Sequence, residues 1–110
     1  MSRIAELSLD AKHTDGERRS LCIAISQPEP EPDAHGNTYR TLLECEGFYK
    51  PRYIYGEGSL QSLTLTIPIL RELLASIANA GWTLYYPGTE DVAPPDLNLF
   101  GSSGTSRRKP

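Results

Sequence analysis

The sequence predicts an α+β domain: an antiparallel sheet of four to five strands, with one long helix, kinked at Pro68, packed on one face. Three observations carry this. Apolar and polar residues alternate through much of the first 55 positions, the period of half-buried strands. After Gly56 the period changes to that of a helix and holds to about residue 80. Strands come first and the helix follows, without the strand–helix alternation of a parallel sheet.

The elements follow in order. Residues 3–10 alternate so that Ala5, Leu7 and Leu9 point inward. Thr14-Asp15-Gly16-Glu17 then supplies Asp-Gly between two apolar runs, a hairpin signal. The second strand is expected over 18–27, with Leu21, Ile23 and Ile25 on one face. Cys22 and Ala24 occupy its other face, which is therefore expected to be partly covered too. Residues 28–38 contain Pro28, Pro30 and Pro32, which remove backbone donors and favour an extended path, so an exposed acidic loop is expected. Strand character resumes over 39–46, Gly47 permits a turn, and 48–55 forms a fourth strand. Pro51 near its start argues for an edge position or a bulge.

Residues 59–80 then place Leu60, Leu63, Ile67, Leu70, Leu74 and Ile77 three and four positions apart in alternation, a seam along one helix face. Ser59 is the expected N-cap and Gly81 the left-handed residue past the C-terminus. Pro68 removes the bond to Thr64, at a cost of about 3 kcal/mol or more in a straight helix, so a kink or break is expected there. Residues 82–86 read as a fifth strand closed by Pro87-Gly88, with Leu97, Leu99 and Phe100 docking on the body. The division is one domain over 1–100 and a disordered tail over 101–110.

Tyr53-Ile54-Tyr55-Gly56 running into Ser59-Leu60-Gln61-Ser62-Leu63, with Ile69-Leu70-Arg71-Glu72-Leu73 beyond, resembles a family of small uncharacterised bacterial proteins. The likeness spans roughly residues 3–87. It rests on a strand–helix junction, implies a bacterial origin and a similar fold, and brings no activity with it.

Composition narrows the function. Of the 110 residues, 38% are hydrophobic and 23% charged, as in a soluble globular domain. No apolar run reaches the ~18 residues of a membrane span, and the N-terminus lacks a signal-peptide core. Arg107, Arg108 and Lys109 sit on the tail. Without them eight basic residues face fourteen acidic ones, and residues 1–106 carry −6. A body of that sign disfavours nucleic acid and steers basic partners toward itself. Cys22 and Cys45 read as buried thiols rather than a bridge, which implies a reducing, cytoplasmic setting.

Three candidate sites emerge. Gly56, Gly58 and Ser59, between a strand and a helix start, suit either a tight turn with an N-cap or an anion held by backbone amides. Gln61 stands where a dinucleotide fingerprint needs its third glycine, and no phosphate-loop Lys-Ser/Thr pair follows. His13 lies near Asp15 and His35 near Asp33, but nothing in the spacing joins them to Cys45 or a serine, so both read as solvated loop histidines. Asp33 and His35 offer two metal ligands at most, and no cofactor is expected. The third site is a cluster of tyrosines and arginines, residue types that dominate protein interfaces. Tyr39, Arg40, Tyr49, Arg52, Tyr53 and Tyr55, beside Glu29, Glu31 and Asp33, form the expected contact surface; β-propensity alone is the competing account of the tyrosines.

The reading is a non-catalytic bacterial binding protein whose partner is another protein, on the pattern of an immunity protein that neutralises a basic toxin. Nucleic acid and membrane are not expected as partners, and a homodimer is a further possibility. A small-molecule or anion-binding module at Gly56–Ser59, perhaps an enzyme, is the alternative.

Overall fold

A computed structural model describes residues 2–34, 36–94 and residue 97. His35, Leu99, Phe100 and the whole stretch 101–110, on which several of these expectations fall, lie outside the described residues. Six strands and one helix follow in the order β1 (Arg3–His13), β2 (Arg18–Ser26), β3 (Glu29–Pro30), β4 (Thr38–Glu46), β5 (Arg52–Glu57), α1 (Gly58–Asn79) and β6 (Trp82–Tyr85). The result is an antiparallel α+β fold with one long helix on a single sheet.

Across the sheet the order runs β6, β1, β2, β4, β5, with short β3 continuing the line of β2 beside β4. The sheet thus exceeds the expected strand count by β3, within the segment read as a loop. Two residues of the proline-rich run pair with β4, Glu29 opposite Arg40 and Pro30 opposite Tyr39. Pro30 is compatible with this because the strand is short and lies at the sheet's margin. The hairpin expected at Asp15-Gly16 forms, with Gly16 at φ +98 and the His13 amide bonded to the Glu17 carbonyl at 2.8 Å.

One sheet face carries the core: Leu9 and Ala11 of β1, Leu21, Ile23 and Ile25 of β2, Leu43 and Cys45 of β4, Ile54 of β5 and Leu84 of β6. Helix α1 covers it with Leu70, Leu74 and Ile77. The amino-terminal half of the helix departs from the expected seam. Leu60 is 73% exposed, and the residues buried in its place are Ser62 and Thr66. Their hydroxyls are satisfied locally. Ser62 Oγ lies 2.7 Å from Thr41 Oγ1 and 2.9 Å from the Ile54 carbonyl, and Thr66 Oγ1 bonds the Ser62 carbonyl at 2.9 Å.

The reason is close approach. A Cβ on Gly56 would stand 2.6 Å from Ser62 N, so β5 and the helix backbone are nearly in contact. Only small side chains fit between them, and the helix is turned so that serine and threonine face the sheet.

The helix also runs through Pro68 without a break. Pro68 and Thr64 are both exposed, so the carbonyl that loses its amide partner faces water. At the amino end the cap is Glu57, not Ser59; the Glu57 amide is bonded by Gln61 Oε1 at 2.6 Å. At the other end Gly81 takes the left-handed conformation, φ +101, as expected.

Candidate protein-interaction face

The sheet face opposite α1 bears no helix among the described residues. Register decides who lies on it. Tyr53 pairs with Leu42 and Tyr55 with Arg40, while Ile54 pairs with Thr41 on the helix side. Further along, Glu44 pairs with Ala24, which in turn pairs with Glu6, and Cys22 pairs with Ser8. The open face therefore presents Tyr53, Tyr55, Leu42 and Ala24, edged by carboxylates. Ala24 is buried at 2% exposure by the longer side chains around it, so the expected partial cover of this face comes from its own neighbours.

Arg40 organises one end of this surface. Its Nε donates to Glu29 Oε2 at 2.7 Å, and its Nη1 lies 3.6 Å from Glu31 Oε2. Its guanidinium stacks 4.1 Å above the Tyr53 ring, a cation–π arrangement, and Tyr55 leans on Tyr53 with centroids 6.4 Å apart. The bond to Glu29 is the main cause that raises the Arg40 pKa further above its ordinary value. The acidic strap is thus anchored rather than loose, and part of its charge is neutralised where it lies. At the other end, Arg3 bridges to Glu44 at 3.3 Å and to Glu6 at 3.8 Å.

Five of the nine residues expected on the contact surface, Glu29, Glu31, Arg40, Tyr53 and Tyr55, come together. The other four go elsewhere. Tyr39 pairs with Gly56 on the helix side, Arg52 pairs with Leu43 on that same side, and Tyr49 packs half-buried against the core beyond β4. Asp33 is exposed in the strap's turn, its amide bonded to Glu31 Oε1. Leu42 belongs to the surface and was not among the expected residues, although its alternation with Thr41 and Leu43 carried the signal.

At the strand–helix junction two of the backbone donors already have acceptors. The Gly58 amide bonds the Asn37 carbonyl at 2.6 Å and the Glu57 amide bonds Gln61. Gly58 adopts φ +81 beside the Asn37 side chain, and Gly56 packs on the helix backbone. Ser59 is exposed on the first turn.

The histidine expectation is corrected in one respect. His13 is not a solvated loop residue: it ends β1, opposite Trp82, with its ring against the helix C-terminus. Nε2 lies 2.8 Å from the Ala80 carbonyl and Nδ1 3.0 Å from Asp15 Oδ1. The bond to Ala80 is the foremost cause that raises its pKa above 6.5, with Asp15 adding to it. Trp82 stands at 5.0 Å from the His13 ring and 5.1 Å from Phe48, and the Arg19 guanidinium caps both Trp82 and Phe48.

Cys45 lies in the core, and burial pushes its thiol up to about 11 against a weak opposing pull from Arg52. Cys22 and Cys45 are both free thiols. Among the described residues no group of three His, Cys, Asp or Glu side chains is placed to hold a metal ion. Comparison with family models, with curated proteins and with solved structures finds no match, so the surface is read from its own geometry.

Proposed function

We propose that the protein works by binding another protein, as an immunity protein or similar antagonist that occludes a basic bacterial toxin in the cytoplasm. The observation that carries this is the sheet face, bare of any helix among the described residues, with Tyr53 and Tyr55 side by side and Arg40 stacked on Tyr53. Aromatic side chains already ordered on a rigid sheet lose little entropy on docking, and Tyr and Arg are the usual anchors of interface energy. Carboxylates at Glu6, Glu29, Glu31, Glu44 and Glu46 edge the patch, with Arg3 and Arg40 spanning some of them. That rim gives an approaching cationic surface a faster, better-oriented encounter. Free thiols agree with a reducing compartment.

The test is co-purification of the tagged full chain from its native host, followed by titration calorimetry with the recovered partner at low and high salt. A stoichiometric complex that weakens with salt, and that Tyr53→Ala or Tyr55→Ala loosens by about 2 kcal/mol or more, supports the reading. Repeated recovery of no protein partner removes it, as does a partner indifferent to both substitutions.

A further inference from the structure

The second surface with an unfilled role is the amino-terminal half of β1. β6 pairs with β1 only from Asp10 to His13, because the chain leaves the sheet at Pro87, where the Gly88 amide is tied to the Asp10 carboxylate at 3.1 Å. From Arg3 to Leu9 no described strand lies on that edge.

Which backbone groups face it follows from the ladder. The Ala93 amide bonds the Leu84 carbonyl on the far side of β6, so Leu84 turns its polar groups away from β1. Hence Asp10 and Lys12, not Ala11, address β6, and by alternation Glu6 and Ser8 direct their N–H and C=O groups to the open edge. Directly beside that edge, on the helix side, lies an apolar groove of about 120 Å³ lined by Ala5, Leu7, Ile23, Ile25, Leu70 and Leu97. Leu7 is left 40% exposed there. On the other side of the same edge stand the carboxylates of Glu6 and Asp10.

We propose that this edge receives one extended segment of a protein partner, added as a strand in line with β6, with apolar side chains facing the groove and basic side chains alternating onto the open face. Main-chain bonds to Glu6 and Ser8 supply the pairing, the groove accepts the side chain that lies opposite Leu7, and Glu6 and Asp10 select for lysine or arginine at the flanking positions. This surface shares Glu6 with the rim of the tyrosine patch but uses neither Tyr53 nor Tyr55.

The experiment uses the full chain, labelled for NMR, and a capped synthetic peptide of alternating valine and lysine. Expected are shifts at Glu6, Leu7, Ser8 and Leu70, and slowed hydrogen exchange at the Glu6 and Ser8 amides. A valine–glutamate peptide should bind about tenfold more weakly, and Glu6→Lys should narrow or reverse that preference. A valine–lysine peptide N-methylated on its pairing edge should lose binding, which separates strand addition from simple charge attraction. Tyr53→Ala should leave the titration unchanged, so failure of the tyrosine reading and of this one are distinguishable. The proposal is overturned if the peptide moves no β1 resonance, if the N-methylated peptide binds equally well, or if the Glu6 and Ser8 amides are already protected in the free protein.

Discussion

Replacing Gly56 by alanine tests the contact on which the helix's orientation depends. Gly56 has an ordinary strand conformation, so the added methyl brings no dihedral penalty and even stabilises by about 0.4–1 kcal/mol through the unfolded chain. Its cost is steric. The new Cβ would lie 2.6 Å from Ser62 N and 2.9 Å from Gln61 C, whereas ordinary contact begins at 3.4 Å. Strand and helix must therefore separate by about 0.8 Å at that point. Such overpacking costs ~1–3 kcal/mol. The same separation stretches the Ser62 bonds to Thr41 and Ile54, and a buried hydroxyl left without a partner costs a further ~1–3 kcal/mol. Net of the gain, roughly 1–5 kcal/mol of stability should go, a fall in Tm on the order of 5–30 °C. Urea unfolding followed by the fluorescence of Trp82, the single tryptophan, measures it. Gly88→Ala, at φ +72 with nothing within 4 Å, is the control and should lose only about 1 kcal/mol. Because the obstacle is backbone, trimming Ser62 to glycine should not rescue Gly56→Ala. A Gly56→Ala protein within about 0.5 kcal/mol of the parent would refute the close approach.

Three further outcomes are expected. Leu60→Lys should change the unfolding free energy measured in urea by less than about 0.5 kcal/mol, whereas Leu74→Ala, which empties the centre of the core, should cost about 2–5 kcal/mol. The folded-state pKa of His13 is raised above 6.5, so its stabilising contribution is complete below 6.5 and is lost as pH climbs through the raised value. An NMR titration of the imidazole should place its midpoint above 6.5, Asp15→Asn should lower that midpoint, and a midpoint at or below 6.5 contradicts the geometry. Cys45, its thiol pushed up to about 11, should resist thiol reagents at mildly alkaline pH in the folded protein and react freely in urea.

What sequence reasoning could reach was whatever period and punctuation encode locally. Alternation placed Leu21, Ile23 and Ile25 inside, and Gly16 and Gly81 marked the turns they occupy. What it missed depends on distance between elements. Nothing in the run Ser59–Leu63 says that the helix will press against Gly56, and without that fact Leu60 looks like a better core residue than Ser62. The acidic strap was legible as extended and exposed, but its pairing with β4 and its capture by Arg40 depend on a residue eleven positions away from Glu29. His13 looked solvated because the helix end that its ring caps, Ala80, lies 67 positions further on.

The same close approach bears on how the molecule meets partners. Turning Ser62 and Thr66 inward leaves Leu60 and Leu65 on the surface of a helix whose first thirteen residues carry no charge, while the acidic residues gather across the sheet. The two sides of the sheet therefore offer unlike chemistries, a helix side whose amino-terminal half is apolar and uncharged and an aromatic face edged with carboxylates. The open stretch of β1 lies where they meet, with Leu7 turned to the first and Glu6 and Ser8 to the second. A strand added there would read both sides at once, one through each of its own faces. That is why an alternating apolar–basic segment satisfies this edge, whereas a uniformly apolar one would bring Glu6 and Asp10 no partner beyond the Arg3 and Gly88 contacts they already make, and a uniformly basic one would set a charge against Leu7.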